Sequence, residues 1–220
     1  MNIQILLLLS ILFLSLIQSS FASSLNSTLD EQGNYLNPSL GIGFQAPQGW
    51  IVQEPKKSQS GAPDIAVVGP YTGEFTPSIS FIIEKANSTL LNDYFENKKD
   101  QIIKNTESEN ISFLSEQDTT INGHDAKIII IRENFTENGQ NTIIKFKQVF
   151  VLANDNFYRI TYANVEKNFD SDLSDYDDLL NSITFSNSQN SSLIGYLPII
   201  GGIGIAISLG IILVIKRKKS

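Results

Sequence analysis

"HDAKIIIIRENFTENGQNTIIKFKQVFVLANDNFYRITYANV", residues 124–165, decides the fold. It divides into three strand-like runs, 125–134, 142–154 and 156–164, separated by turn signals at Asn138-Gly139 and Asn154-Asp155-Asn156. Connections this short join antiparallel neighbours, because parallel strands need a long crossover. The runs 128–131 and 149–152 are continuously apolar, as central strands covered on both faces would be. In the third run Tyr158, Ile160 and Tyr162 alternate with Phe157, Arg159 and Thr161, one set for each face of a sheet.

Just upstream, "TTINGHDAK" (residues 119–127) adds a two-residue Asn122-Gly123 loop, the strongest short-range signal for a hairpin with a type I′ turn. His124, the single histidine, then faces Ile121 across the hairpin mouth and shares a side with Ala126, Ile128 and Ile130. That register makes it the last residue of a core-facing row rather than a group on display.

Before this region, "SISFIIE" predicts a strand with Ile79, Phe81 and Ile83 on one face. The period then changes. Leu91, Tyr94, Phe95, Lys98 and Ile102 recur at helical spacing, with Ser88 or Thr89 as N-cap and Lys104 in the last turn. Nearer the N-terminus, Ile42, Phe44 and Ala46 alternate up to Pro47-Gln48-Gly49, and Trp50 and Val52 continue beyond it, a hairpin or a tight strand-turn-strand. Trp50, the single tryptophan, reads as a core anchor, and residues 55–77 read as a Gly/Pro-punctuated connection. At the other end, "NFDSDLSDYDDLLNSI" predicts one helix with Phe169, Leu173, Tyr176, Leu180 and Ile183 on a face, and Phe185 follows as a final core residue.

The chain's two ends carry a different message. Residues 1–22 run through an apolar stretch into Ser20-Phe21-Ala22, an h-region followed by a small-x-small cleavage site, so a signal peptide is expected. An uncleaved anchor is the alternative, because no Lys or Arg precedes the apolar stretch. Residues 193–215, opening on Leu193 and closing on Ile215, contain no charge and are long enough to span a hydrocarbon core of about 30 Å. Lys216-Arg217-Lys218-Lys219 then places the C-terminus in the cytoplasm by the positive-inside rule. The expected arrangement is therefore single-pass and type I: signal peptide 1–22, N-terminal linker 23–34, extracytoplasmic domain 35–185, polar stalk 186–192, transmembrane helix 193–215 and basic tail 216–220. Gly202, Ala206 and Gly210 form a small-xxx-small stripe that would let two such helices pack closely.

Composition removes several chemistries. With four of the 16 basic residues in the tail, residues 23–192 hold 12 basic against 23 acidic, a net charge of −11. That balance argues against nucleic acid and anionic lipid headgroups and suits cations or a basic partner. The absence of cysteine excludes disulfides, thiolate nucleophiles and iron–sulfur clusters, and one His with no Cys cannot build a nitrogen–sulfur zinc site. Five acidic residues, Asp170, Asp172, Asp175, Asp177 and Asp178, invite a calcium reading, but they lack the Gly and closing Glu of an EF-hand loop. Acidic residues early in a helix also complement its macrodipole. The Asn-x-Ser/Thr pattern marks Asn26, Asn87, Asn110, Asn134 and Asn190 as glycosylation candidates, little above the chance expectation.

The order of parts resembles the PsbP-like proteins, named for an extrinsic subunit of the photosystem II oxygen-evolving complex. The resemblance rests on Gly43-Phe44 followed by Pro47-x-Gly49-Trp50, the helix over 91–103, Ile121-Asn122-Gly123 with Ala126, the Tyr158-Arg159-Ile160-Thr161 strand, and "NSITF" ending at Phe185. It spans roughly residues 35–185. It implies an α+β fold, a central antiparallel sheet flanked by helices on both faces in an α/β/α sandwich, here with one C-terminal transmembrane helix. It also implies a binding or scaffolding role, as extrinsic subunit, adaptor or surface protein, without catalytic residues or a resident cofactor. The leading expectation is a non-enzymatic, membrane-anchored extracytoplasmic domain docking on a neighbouring membrane complex or extracellular ligand. A calcium- or other cation-binding accessory domain is the alternative. A hydrolase using His124 is the remote one, since no G-x-S-x-G element presents a serine.

Overall fold

The computed structural model describes residues 28–55, 62–72, 75–105, 110–137 and 140–186. Strands β1 (Thr28–Leu29), β2 (Asn34–Asn37), β3 (Ile42–Gln45) and β11 (Thr184–Phe185) form a small sheet in the order β1-β2-β3-β11. A larger one contains β4 (Ile51–Gln53), β5 (Ile65–Val68), β6 (Ser78–Lys85), β7 (Ile111–Ile121), β8 (His124–Glu137), β9 (Gln140–Ala153) and β10 (Asn156–Val165), ordered β4-β5-β6-β10-β9-β8-β7. All strand pairs among the described residues are antiparallel. Three helices accompany them among the described residues: α1 (Leu91–Asn105), α2 (Glu166–Phe169) and α3 (Leu173–Ser182).

The two-faced strands build two cores. Ala126, Ile128, Val149, Val151, Tyr158, Ile160 and Tyr162 project into the first, with Ile79 and Phe81 from β6. Their sequence neighbours Ile129, Ile131, Phe146, Phe150 and Phe157 project into the second. Every residue of β10 is buried, as its place in the middle of the large sheet requires. The helix α1 closes the second core with Tyr94, Phe95 and Ile102. The first core is closed jointly by α3, through Tyr176, Leu179 and Leu180, and by the small sheet, through Tyr35, Ile42 and Phe44. A β-strand layer therefore shares a face on which the resemblance implies helices.

Several expectations need correction. Residues 42–53 are a strand-turn-strand, not a hairpin: the turn closes from Trp50 N–H to the Pro47 carbonyl at 3.1 Å, and β3 and β4 enter different sheets. The connection 55–77 contains β5, whose four residues are too few to show a period. The folded region includes β1 and β2, so pairing begins at Thr28, inside the stretch expected as linker. At the start of α1, Asn87 and Ser88 take positive φ and Thr89 N–H bonds to the Ala86 carbonyl at 2.8 Å. The first helical bond is then accepted by Leu90, from Tyr94 N–H at 3.1 Å, so neither Ser88 nor Thr89 is the cap. The single helix expected near the end is split into α2 and α3, with Asp172 at φ −101° and ψ 4° between them, outside helical geometry.

Gly43 in β3 shows why a residue without Cβ is needed in the small sheet. A Cβ there would lie 2.9 Å from Thr184 Oγ1 and 3.2 Å from the Tyr35 carbonyl oxygen, between the two strands that flank it. Gly43→Ala is expected to cost about 1–3 kcal/mol by overpacking, read as a lower urea midpoint with an unchanged slope. Beside it, β11 is clasped from several sides. Ser186 N–H bonds to the Gly41 carbonyl at 3.0 Å, and the Asn122 side chain donates to the Ile183 carbonyl. Tyr158 links the two sheets, its hydroxyl lying 3.2 Å from the carbonyl oxygens of Leu40 and Gly41.

Among the described residues no helix is long and apolar enough to cross a membrane. The expected signal peptide, the stalk beyond Ser186, the membrane span with Gly202, Ala206 and Gly210, the basic tail, the Asn138-Gly139 turn, Asn26 and Asn190 all lie outside the described residues.

Candidate functional site

The residues singled out for chemistry go elsewhere. His124 pairs with Ile121 across the turn formed by Asn122 and Gly123, whose φ values are 49° and 82°. Its ring meets Phe185 edge-on, centroids 5.2 Å apart, and makes no hydrogen bond among the described residues. The histidine thus seats β11 against the hairpin.

The acidic run is dispersed over separate partners. Asp170 pairs with Lys145 at 3.2 Å and Asp177 with Lys147 at 2.7 Å, both lysines projecting from β9. Asp175 accepts from Trp50 Nε1–H at 3.2 Å, and Asp172 accepts from the Asn164 side chain at 2.9 Å. Asp178 is exposed in α3. Among the described residues no three His, Asp or Glu side chains cluster so as to hold a metal. Asn87, Asn110 and Asn134 are exposed, Asn87 in the turn before α1.

The feature that stands out is the free edge of the large sheet. Among the described residues β7 pairs with β8 alone, and residues 112–118 are all exposed. In the ladder Phe113 pairs with Ile131 and Ser115 with Ile130, so Leu114 is an inserted residue, a β-bulge. Strict alternation would send Phe113 and Leu114 to opposite faces. The bulge instead brings both into one groove of about 310 Å³, with Ile103 from α1, Ile129, Lys99 and Glu116. Ile103, Phe113 and Leu114 remain 46%, 42% and 49% exposed. Lys99 bridges Glu96 at 2.9 Å and Glu116 at 3.0 Å, and these two carboxylates, Glu96 foremost, raise its pKa above the ordinary ammonium value.

Nothing in the sequence pattern marks this groove. The stretch "ISFLSEQDTTI" is too polar for a buried strand, and its apolar pair is adjacent rather than alternating. Charge on both sides of that pair was the one available signal of an exposed edge.

A family model described as PsbP-like protein matches residues 9–185, the family the sequence resembles. Among solved structures, the solution structure of cyanobacterial PsbP from Synechocystis aligns at 14% identity and TM-score 0.49, covering 76% of this chain and 97% of that one. LpqN, involved in cell envelope biogenesis of Mycobacterium tuberculosis, aligns at 15% identity and TM-score 0.49, covering 66% and 83%. A protein of unknown function and putative regulator from Pseudomonas aeruginosa aligns at 12% identity and TM-score 0.47, covering 78% and 99%. No curated protein sequence matches the chain.

Proposed function

Since the chain belongs to the PsbP-like protein family, we infer that it is a non-enzymatic binding or scaffolding domain, held by the apolar run 193–215 on the outer side of a membrane. Its occupant is an extended, basic segment of a neighbouring membrane protein that adds to the free edge of β7 and seats an apolar side chain between Phe113, Leu114 and Ile103. The observation that carries this reading is the exposed groove beside an unpaired edge strand. Main-chain bonds to such an edge supply affinity and the adjoining apolar pocket supplies specificity. The net charge of −11 over residues 23–192 selects a segment of opposite sign. The α/β/α arrangement belongs to the same reading, with α1 over one core and α3 over the other.

A photo-crosslinker placed at Ser115 in native membranes tests it. The expected product joins this chain to one Lys/Arg-bearing segment of another membrane protein. Phe113→Asp is expected to reduce that product about tenfold or more, as loss of a hot-spot contact would. Because Phe113 is exposed, the variant should keep its stability within about 0.5 kcal/mol. Crosslinks undiminished by Phe113→Asp, or joining two copies of this chain, would overturn the reading.

A further inference from the structure

The free edge of the large sheet ends beside the point where the chain leaves the domain. At the C-terminal end of β7, Ile121 leads into Asn122, whose side chain donates to the Ile183 carbonyl just before β11. Phe185 meets the His124 ring at the same turn, and Ser186 N–H then bonds to the Gly41 carbonyl at 3.0 Å. From Ser186 the chain has seven residue steps to Leu193, at most about 23 Å of extended backbone. From Ile121 back to Ile111, β7 covers ten steps, about 30 Å. The strand is thus longer than the stalk. With 193–215 as the anchor proposed above, the Ile111 end cannot be the one that faces the bilayer, because Ser186 would then stand beyond the stalk's reach. The turn end of β7 faces the membrane, and the edge rises from it past Asp118 and Glu116 to the groove at Leu114 and Phe113.

The edge also carries an order of charges. In the ladder Glu116 lies opposite Ile129 and Asp118 opposite Lys127, so both project on the face that α1 and the groove occupy. Glu116 bridges Lys99 at 3.0 Å and Asp118 bridges Lys127 at 2.6 Å. In each pair the carboxylate is the more exposed side chain, 41% against 24% and 81% against 15%, so the charge that reaches the edge is negative. Every strand pair among the described residues is antiparallel, and antiparallel ladders are slightly the more stable per residue. Since β7 runs toward the membrane, an antiparallel neighbour runs away from it.

We propose that the segment docking on β7 is the stretch that directly follows a membrane span of its own protein, running outward with basic residues first and an apolar anchor after them. The inference rests on the edge-docking reading and adds the partner's direction and its order of residues. Opposite residues of a ladder share a face, and that face recurs at every second position. A basic residue opposite Asp118, a second opposite Glu116 and the anchor at the Leu114 bulge therefore read as basic-x-basic-x-apolar. Leu114 is seven residues along the edge from Ile121, whose level the stalk brings within about 23 Å of the bilayer, so the anchor comes roughly 7–14 residues after the span. Because basic residues on the outer flank oppose the positive-inside rule, the partner must carry more Lys and Arg on its cytoplasmic flank.

Photo-crosslinkers placed singly at the exposed Ser115 and Thr120 of the full chain in native membranes, with the linked residues mapped by peptide mass spectrometry, test the direction. The residue joined to Thr120 is expected about five positions before the one joined to Ser115, both of them after a membrane span. Asp118→Lys is expected to reduce both products about tenfold through like-charge repulsion and, at so exposed a position, to leave Tm nearly unchanged. Linked residues in the reverse order, a segment that precedes its span, products undiminished by Asp118→Lys, or a Ser115 product with none from Thr120 overturns this inference. In each of those cases docking at the edge still stands if Phe113→Asp removes the Ser115 product. A Ser115 product that Phe113→Asp leaves intact overturns the docking reading itself, and no product at either position overturns both.

Discussion

Phe150→Ala is expected to destabilise the domain by about 3–5 kcal/mol. The residue is fully buried in β9, where α1 meets the sheet. Phe95 approaches its ring edge-on at 5.2 Å, and Tyr94 at 6.2 Å. Each aromatic pair contributes about 0.5–1.5 kcal/mol beyond area burial. Two contacts with the same helix are therefore lost together, along with the volume of the ring. Relaxation is restricted, because neighbouring Val149 and Val151 belong to the other core and are themselves fully buried. Chemical denaturation followed by the Trp50 signal measures the effect. Leu90→Ala is the comparison: at 67% exposure it should change stability by no more than about 0.5 kcal/mol. Equal losses at the two positions would contradict the packing described for the second core.

Glu133→Gln is expected to act in the opposite direction and to depend on pH. Glu133 sits in β8 between Ile111 and Ile144, 7% exposed, with Oε2 buried and without a hydrogen-bond partner. Burial pushes its carboxyl up from 4.5 to about 7. Between those values the folded chain retains a proton that the unfolded chain has released. The protonated carboxyl's stabilisation is thus fully present below pH 4.5 and is lost as pH rises through about 7. A shift of this size corresponds to at most about 3 kcal/mol. Glutamine keeps the shape and removes the ionisation. The variant should match the parent near pH 4.5 and exceed it above pH 7 by about 1–3 kcal/mol. Parallel stability curves for the two proteins across this range would rule out a buried, late-ionising Glu133.

The centre of the fold was legible because its signals agree at every level. Asn122-Gly123 and Asn154-Asp155 take the positive φ values their turns require, and the alternation around Tyr158 and Phe157 corresponds to two cores. The periphery was less legible for physical reasons. β5 presents only Ile65–Val68, and the switch from β3 to β4 depends on tertiary pairing that no local pattern encodes. The break between α2 and α3 falls between Phe169 and Leu173, where no glycine or proline marks it in the sequence. As for function, the conspicuous residues misdirected attention. His124 and the aspartates are used structurally, while Phe113 and Leu114 meet only because of a bulge.

The clasp around β11 has a mechanical consequence. Its ladder to β3 is only two residues long, Thr184 with Gly43 and Phe185 with Ile42, followed by the Ser186 bond to Gly41. A load entering from the C-terminal side reaches these bonds first and peels them in sequence, one at a time. The ten-residue pairing between β9 and β10 lies behind them and does not share that load. Under tension the domain would thus shed its final strand as a fuse, leaving the seven-stranded sheet, with its edge groove, intact.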